Sequence, residues 1–145
     1  MNDAELIQID TLFYRAGQAA IMCVRREVFV DEQSVPAQLE IDGRDDHCIH
    51  ALAMDCDRPV GTGRIDLAGG GKVGRVAVVR EYRRRGIGSR LMAALEQAAR
   101  EHGLQSIWFH AQESAIPFYE KLGYSLEGES FMEAGIPHRQ MRRCL

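Results

Sequence analysis

Between about residues 16 and 33 the apolar positions Ala20, Ile21, Val24 and Val28 return at three- and four-residue steps, which predicts a helix with one buried stripe. Pro36 ends it, because the residue before a proline is pushed out of helical backbone. Ahead of it, residues 5–10 (ELIQID) alternate and predict a short strand. Downstream the period shortens: residues 47–55 (HCIHALAMD) and 59–67 (PVGTGRIDL) read as two strands joined by the turn at Cys56-Asp57-Arg58-Pro59. Gly69-Gly70-Gly71 marks a tight turn. Residues 72–79 then finish in the apolar run VAVV, as expected of a central strand covered on both faces.

The clearest helix follows. Ile87, Leu91, Met92, Leu95, Ala98 and Ala99 define one face, Arg90, Glu96, Gln97, Arg100 and Glu101 the other, and Gly103 supplies a C-terminal stop. Residues 106–111 (SIWFHA) predict a short strand, and 114–122 a short helix whose Pro117 fits only in its first turn, with Gly123 as its cap. The tail carries two weaker strand-like pieces around Gly135-Ile136-Pro137. This order predicts an α/β (α+β) fold of three layers, a mixed central β-sheet flanked by helices, and excludes a helical bundle. No linker, repeat or low-complexity stretch interrupts the 145 residues, enough for one substantial core and too few for two, so 1–145 reads as a single domain.

Charge sharpens the picture once the chain is divided. Residues 1–71 hold 6 arginines against 13 acids, a net of −7, whereas residues 72–145 hold 12 bases against 8 acids, a net of +4. Between positions 75 and 90 lie six arginines and one acid, Glu81. A basic block inside a chain of net charge −3 points to a small anionic ligand, or else to a solvated charge run. It does not point to nucleic acid, whose binders carry a domain-wide basic excess. No apolar run approaches the roughly 18–20 residues of a membrane span. The first residues carry three acids before any base, so no secretory signal is expected and the protein is placed in the cytoplasm. Four cysteines without a CxxC pair are expected as reduced thiols. His47-Cys48-x-His50 is the nearest approach to a metal cluster. Read as strand, its adjacent residues point to opposite faces and cannot share an ion, so no metal is expected.

The informative chemistry sits where the VAVV strand meets the next helix, at Arg83-Arg84-Arg85-Gly86-Ile87-Gly88-Ser89. Two glycines at a strand-to-helix turn allow close backbone approach, and a helix start offers N–H groups with partial positive charge. Such a turn suits a pyrophosphate. A P-loop is excluded because GxxxxGK[ST] is absent, and a dinucleotide fingerprint because Leu91 stands where GxGxxG needs its third glycine.

Arg83-x-x-Gly86-x-Gly88, after VAVVREY and before an amphipathic helix, resembles the acetyl-CoA signature (Q/R-x-x-G-x-G/A) of the GNAT N-acetyltransferases. Ala115-x-x-Phe118-Tyr119-Glu120-Lys121-Leu122-Gly123-Tyr124 is similar to the AxxFYxxLGF segment that these proteins carry after their fifth strand. More narrowly, VRREVFVDEQSVP (24–36), HAQ (110–112) and FMEAGIPHRQM (131–141) resemble the ElaA/YjcF-like branch. The resemblance implies a transferase that moves an acetyl group from acetyl-CoA directly to a primary amine of a small molecule or peptide, in a ternary complex, with no metal and no nucleic-acid or membrane partner. It implies that backbone groups of Val76, Ala77 and Val78 pair with the pantetheine arm as an added strand. N–H groups from Arg84 through Arg85, Gly86, Ile87, Gly88 and Ser89 would hold the pyrophosphate, with Arg83 at the opening position. Tyr119 would protonate the departing thiolate, and the N–H of Val78 would stabilise the oxyanion.

Three positions depart from the family pattern. Gln112 stands where an asparagine cofactor contact is common, Arg80 where proline is common, and Arg84 where glycine is common. A side chain at Arg84 must either turn away from the pyrophosphate or embrace it. The acceptor amine must shed a proton, and Glu32, Glu133, His138 or water are the candidate bases. The acidic stretch Glu40, Asp42, Asp45 and Asp46 reads either as an attractor for a cationic amine or as a solvated loop. A non-catalytic acyl-CoA-binding or sensing module on the same scaffold is the alternative function. Neither the acceptor nor the oligomeric state is legible, and a homodimer stays open.

Overall fold

The computed structural model describes residues 6–145. Seven strands form one mixed sheet in the order β1-β2-β3-β4-β5-β7-β6. They are β1 (Ile7–Phe13), β2 (Cys48–Asp55), β3 (Arg58–Asp66), β4 (Lys72–Val78), β5 (Ser106–Gln112), β6 (Ser125–Glu133) and β7 (Ile136–Cys144). The long helices are α1 (Tyr14–Arg25) and α3 (Ile87–Glu101), and the short ones α2 (Ala37–Glu40) and α4 (Ile116–Lys121). No helix among the described residues is long and apolar enough to cross a membrane.

The helices cover opposite faces of the sheet. On α3, Ile87, Leu91, Met92, Leu95 and Ala99 are buried, each large side chain stabilising the fold by about 1.5–3 kcal/mol. Gly61 and Gly63 of β3 face this helix so closely that a Cβ on either would stand 3.0 Å from Leu91 or 3.1 Å from Leu95. Thr62 and Arg64, alternating with them, point to the other face, where Arg64 meets Asp42 and Asp45. The layered α/β expectation holds.

Several boundaries differ from expectation. The first strand runs to Phe13 rather than Asp10, because all seven of its residues pair antiparallel with β2, from Ile7↔Asp55 to Phe13↔Ile49. The expected start at Glu5 lies outside the described residues. His47 ends a short 3-10 turn, Asp45–His47, so the strand begins at Cys48. The first helix is α-helical only to Arg25; Arg26–Glu32 winds as a wider π-helical turn, closed by Gln33 N–H to Val28 O at 3.1 Å. A three-and-four apolar step fits either winding, which is why the sequence does not separate them. Nor is VAVV covered on both faces: Ala77 and Val79 are buried, while Val76 and Val78 are only partly covered and line a cleft.

The acidic stretch is neither a solvated loop nor a free attractor. Arg25, fully buried, bonds the carboxylate of Glu40 and reaches Asp45 at 2.6 Å. Arg64 bonds the same Asp45 oxygen at 2.8 Å and also Asp42. Arg75 donates to the Leu39 and Glu40 carbonyls, and Arg44 forks onto Asp66 at 2.9 and 3.1 Å. Glu40 and Asp45 are buried, Asp42 stays exposed although paired with Arg64, and Asp46 is exposed. Burial disfavours ionised Asp42 and Asp45, but their arginine hydrogen bonds outweigh it and hold both carboxyls below the usual range. His50 has the opposite problem. It is buried, its Nε2–H donates to the Asp45 carbonyl at 3.0 Å, and burial lowers its proton affinity.

Acid therefore destabilises the fold in two stages. Below about pH 6.5 the unfolded chain takes a proton on His50 that the folded chain resists, so stability falls as pH falls. Below about pH 4 the unfolded carboxylates of Asp42 and Asp45 protonate before the folded ones, and a steeper loss follows. Melting temperatures between pH 8 and pH 3 test this, and His50→Gln flattens the upper stage alone.

Candidate active site

The parallel pairing of β4 with β5 stops after two residue pairs, Lys72↔Trp108 and Val73↔Phe109. Beyond them the strands are unpaired with each other, and a cleft of about 1250 Å³ runs through the gap. Its lining includes Gly86, Gly88 and Ser89 at the turn before α3, and Phe29, Arg75, Glu133 and His138.

At the turn, Arg83 is extended, Arg84 has φ +63° and Gly86 has φ +79°. The first-turn N–H groups of α3, on Ile87, Gly88 and Ser89, have no intrahelical acceptor, and no acid occupies that turn to neutralise its partial positive charge. A side chain at Gly86 would be strained by its left-handed φ although nothing lies within 4 Å. Gly88 is constrained by space instead: a Cβ there would stand 3.1 Å from Phe118 Cζ. Arg84 adopts the left-handed backbone that glycine takes freely, at a cost of about 1–2 kcal/mol. Its exposed side chain makes no hydrogen bond or ion pair among the described residues, and the residue lines the cleft.

The other arginines of the block have partners. Arg83 forks onto Glu32 with both bonds at 2.7 Å and sends Nε to the Val78 carbonyl at 2.9 Å. Arg80 approaches Glu32 at 3.4 Å, Arg85 lies over the Tyr82 ring, and Arg90 donates to the Ile7 carbonyl at 2.8 Å. Hydrogen bonds and charge from Arg83 and Arg80 hold the Glu32 carboxyl below its usual range. That makes Glu32 a weak base and a strong tether.

Backbone alternation decides which groups of β4 reach the gap. Val79 N–H bonds the Val60 carbonyl at 2.9 Å, and Ala77 is registered opposite Thr62, so their polar groups face β3. Val78 then points its N–H and C=O toward β5, and its carbonyl is the one Arg83 meets. Val76, Ala77 and Val78 all line the cleft, with Ala77 in register with Thr62.

Tyr119 lies across the gap on α4, its ring 4.5 Å from Phe109 and 6.0 Å from Tyr124, centroid to centroid. Burial pushes its hydroxyl up to about 12, so it keeps its proton at any physiological pH. Gln112 lines the cleft but exchanges amide hydrogen bonds with Gln33 at 2.9 and 3.3 Å. Together with the Glu32–Arg83 fork, this pair pins the π-helical turn to both sides of the split. Glu133 and His138, distinct candidates in the sequence, come together, with His138 Nε2 3.6 Å from Glu133 Oε2. His110 completes the group, its Nδ1 3.0 Å from Glu133 Oε1. Sequence reasoning missed His110 as a site residue. The signal was the alternation of Trp108, His110 and Gln112, which places all three on one face of β5.

The thiols and metal-binding side chains add nothing here. Burial pushes the Cys48 thiol up to about 11, and no group of three or more His, Cys, Asp or Glu among the described residues is arranged to hold a metal.

A mixed sheet split at its centre, with a glycine-paired helix start at the mouth of the split, is the architecture of a CoA-dependent acyltransferase. The acetyltransferase (GNAT) domain pattern matches residues 13–145, and the chain belongs to that family, in its ElaA/YjcF-like branch. It is 44% identical over 122 residues to the uncharacterized N-acetyltransferase YjcF of Bacillus subtilis, covering 83% of this chain and 87% of that one. Its fold matches Escherichia coli ElaA with a TM-score of 0.84 at 29% identity, over 94% of this chain and 99% of the other. An acyl-CoA N-acyltransferase from Pseudomonas aeruginosa matches with a TM-score of 0.83, also at 29% identity, over 94% and 99%.

Proposed function

We propose that the protein transfers the acetyl group of acetyl-CoA to a primary amine by direct attack within a ternary complex. The observation that carries this reading is the two-pair parallel ladder of β4 and β5, which opens an unpaired strand edge between the α3 start and Tyr119. When bound, acetyl-CoA supplies the activated thioester; every other part of the chemistry belongs to the chain. N–H groups of Ile87, Gly88 and Ser89, with those of Arg84, Arg85 and Gly86, hold the diphosphate, and the Arg84 guanidinium embraces it. Val76 and Val78 offer the strand edge to the pantetheine amides. The Val78 N–H is oriented to donate to the thioester oxygen as negative charge builds there. Tyr119, which keeps its proton, donates it to the leaving sulfur.

The acceptor is an amine of a small molecule or peptide. The six arginines of residues 75–90 are mostly spent on contacts within the chain, which weighs against a nucleic-acid partner.

Acetyl-CoA at 100 times its Kd is expected to stabilise the protein by about 2.7 kcal/mol, read as a rise in melting temperature. CoA release is then measured over amines, polyamines, amino acids and aminoglycosides. Tyr119→Phe is expected to lower kcat about 30-fold with little change in KM for acetyl-CoA, because the lost hydroxyl acts on departure rather than on binding. Binding without release in the whole panel supports the acyl-CoA-binding module instead. Absence of binding removes both readings.

A further inference from the structure

The acceptor amine is an ammonium at neutral pH and cannot attack until a group in the cleft takes a proton from it. The carboxylates that the sequence offers for this are mostly occupied. Glu32 is forked by Arg83, Asp42 and Asp45 are held by Arg64, Glu40 by Arg25, and Asp66 by Arg44. Glu133 differs, for its two oxygens face two histidines rather than an arginine. His138 is the buried member of that group, 6% exposed.

The tautomer of His138 is set by its neighbours. Its Nδ1 lies 2.7 Å from the Ile136 carbonyl, which can only accept, so Nδ1 carries the hydrogen. In the neutral ring Nε2 is then a lone pair, and it faces Glu133 Oε2 at 3.6 Å. A neutral imidazole gains nothing from that juxtaposition, whereas an imidazolium gains a carboxylate partner. The ring is fixed by Phe131, stacked at 6.0 Å with planes 22° apart, and Phe131 also meets the His110 ring edge-on at 4.8 Å. In the β5–β7 ladder His138 pairs with Gln112, beside the gap, and His110, Glu133 and His138 all line the cleft.

From this geometry, and on the premise of acetyl transfer, we infer that His138 Nε2 is the base that deprotonates the acceptor ammonium, with Glu133 and His110 as the positioning pair that holds the resulting imidazolium. One proton passes from the ammonium nitrogen to Nε2 and leaves to solvent past Glu133 and His110. The freed nitrogen pair forms the N–C bond as the C–S bond breaks. The nitrogen's second proton goes to water, and the thiolate takes the Tyr119 proton, which water restores. One proton is released per amide formed, as the overall reaction requires.

The test compares two acceptors of one shape: butylamine, charged at neutral pH, and O-propylhydroxylamine, uncharged there. His138→Gln is expected to lower kcat/KM for butylamine about 100-fold while changing the uncharged acceptor less than about 3-fold. Glu133→Gln keeps the ring in place and is expected to give the same selectivity at about 10-fold. Acetyl-CoA affinity is measured in parallel and stays unchanged in both variants. Equal losses on the two acceptors, or no loss on either, overturn the assignment of the base and leave acetyl transfer standing. A wild-type protein that binds acetyl-CoA and releases CoA with neither acceptor counts against transfer itself and carries this inference down with it.

Discussion

Arg25→Ala is expected to cost about 3–5 kcal/mol of folding free energy, a large fraction of the 5–15 kcal/mol that holds a typical domain together. For a chain of this length the loss corresponds to roughly 10–15 °C in melting temperature. Removing the guanidinium deletes its hydrogen bonds to both carboxylates and to the Glu40 carbonyl, and leaves two acids at 3% and 6% exposure with one cation fewer. The two acids are not stranded equally. Asp45 keeps Arg64 at 2.8 Å, whereas Glu40 keeps only Arg75, 3.7 Å from its carboxylate and already engaged with backbone carbonyls. In the Arg25→Ala background, Glu40→Gln should therefore restore more stability than Asp45→Asn. Thermal or urea denaturation of the three variants gives that order directly. The reverse order would mean that Asp45 is the acid Arg25 chiefly serves.

The same cluster marks the boundary of what the sequence discloses. Helix α3 was legible because its apolar face repeats over 15 residues and Gly103 closes it, and the two last strands only as weaker strand-like pieces around Gly135-Ile136-Pro137. Those are local signals. The fate of the acidic stretch was not legible, since the arginine partners of Glu40, Asp42 and Asp45 lie 15 to 35 residues away on α1, β3 and β4. The exit of β1 departs from the pattern for a related reason. Leu12 and Phe13 break the alternation, Phe13 is 72% exposed, and the backbone ladder to β2 rather than side-chain burial keeps the strand going. The turn at Arg83–Ser89 could be found because glycine spacing records a backbone requirement in adjacent residues. The grouping of His110 with Glu133 and His138 could not, because three strands of the folded sheet bring those side chains together.

Gly88→Val is expected to weaken acetyl-CoA binding about 10²–10⁴-fold, measured by calorimetry or by the loss of ligand-induced thermal stabilisation. The valine stands at the first turn of α3, where the N–H groups of Ile87, Gly88 and Ser89 open onto the cleft. Hydrogen bonds to a charged group contribute about 1.5–3 kcal/mol each, so a side chain that holds the diphosphate off two of them removes about 3–6 kcal/mol of binding. A second effect must be separated from this one. Even a Cβ at residue 88 would press on Phe118 at 3.1 Å, and the two methyls beyond it overpack the contact at about 1–3 kcal/mol of folding stability. Phe118→Ala in the same chain relieves the overpacking and should return the melting temperature toward that of Phe118→Ala alone. It should not return the affinity, because the valine still screens the helix start. If affinity recovers along with stability, the glycine is there to seat the phenylalanine ring, and the diphosphate is held elsewhere.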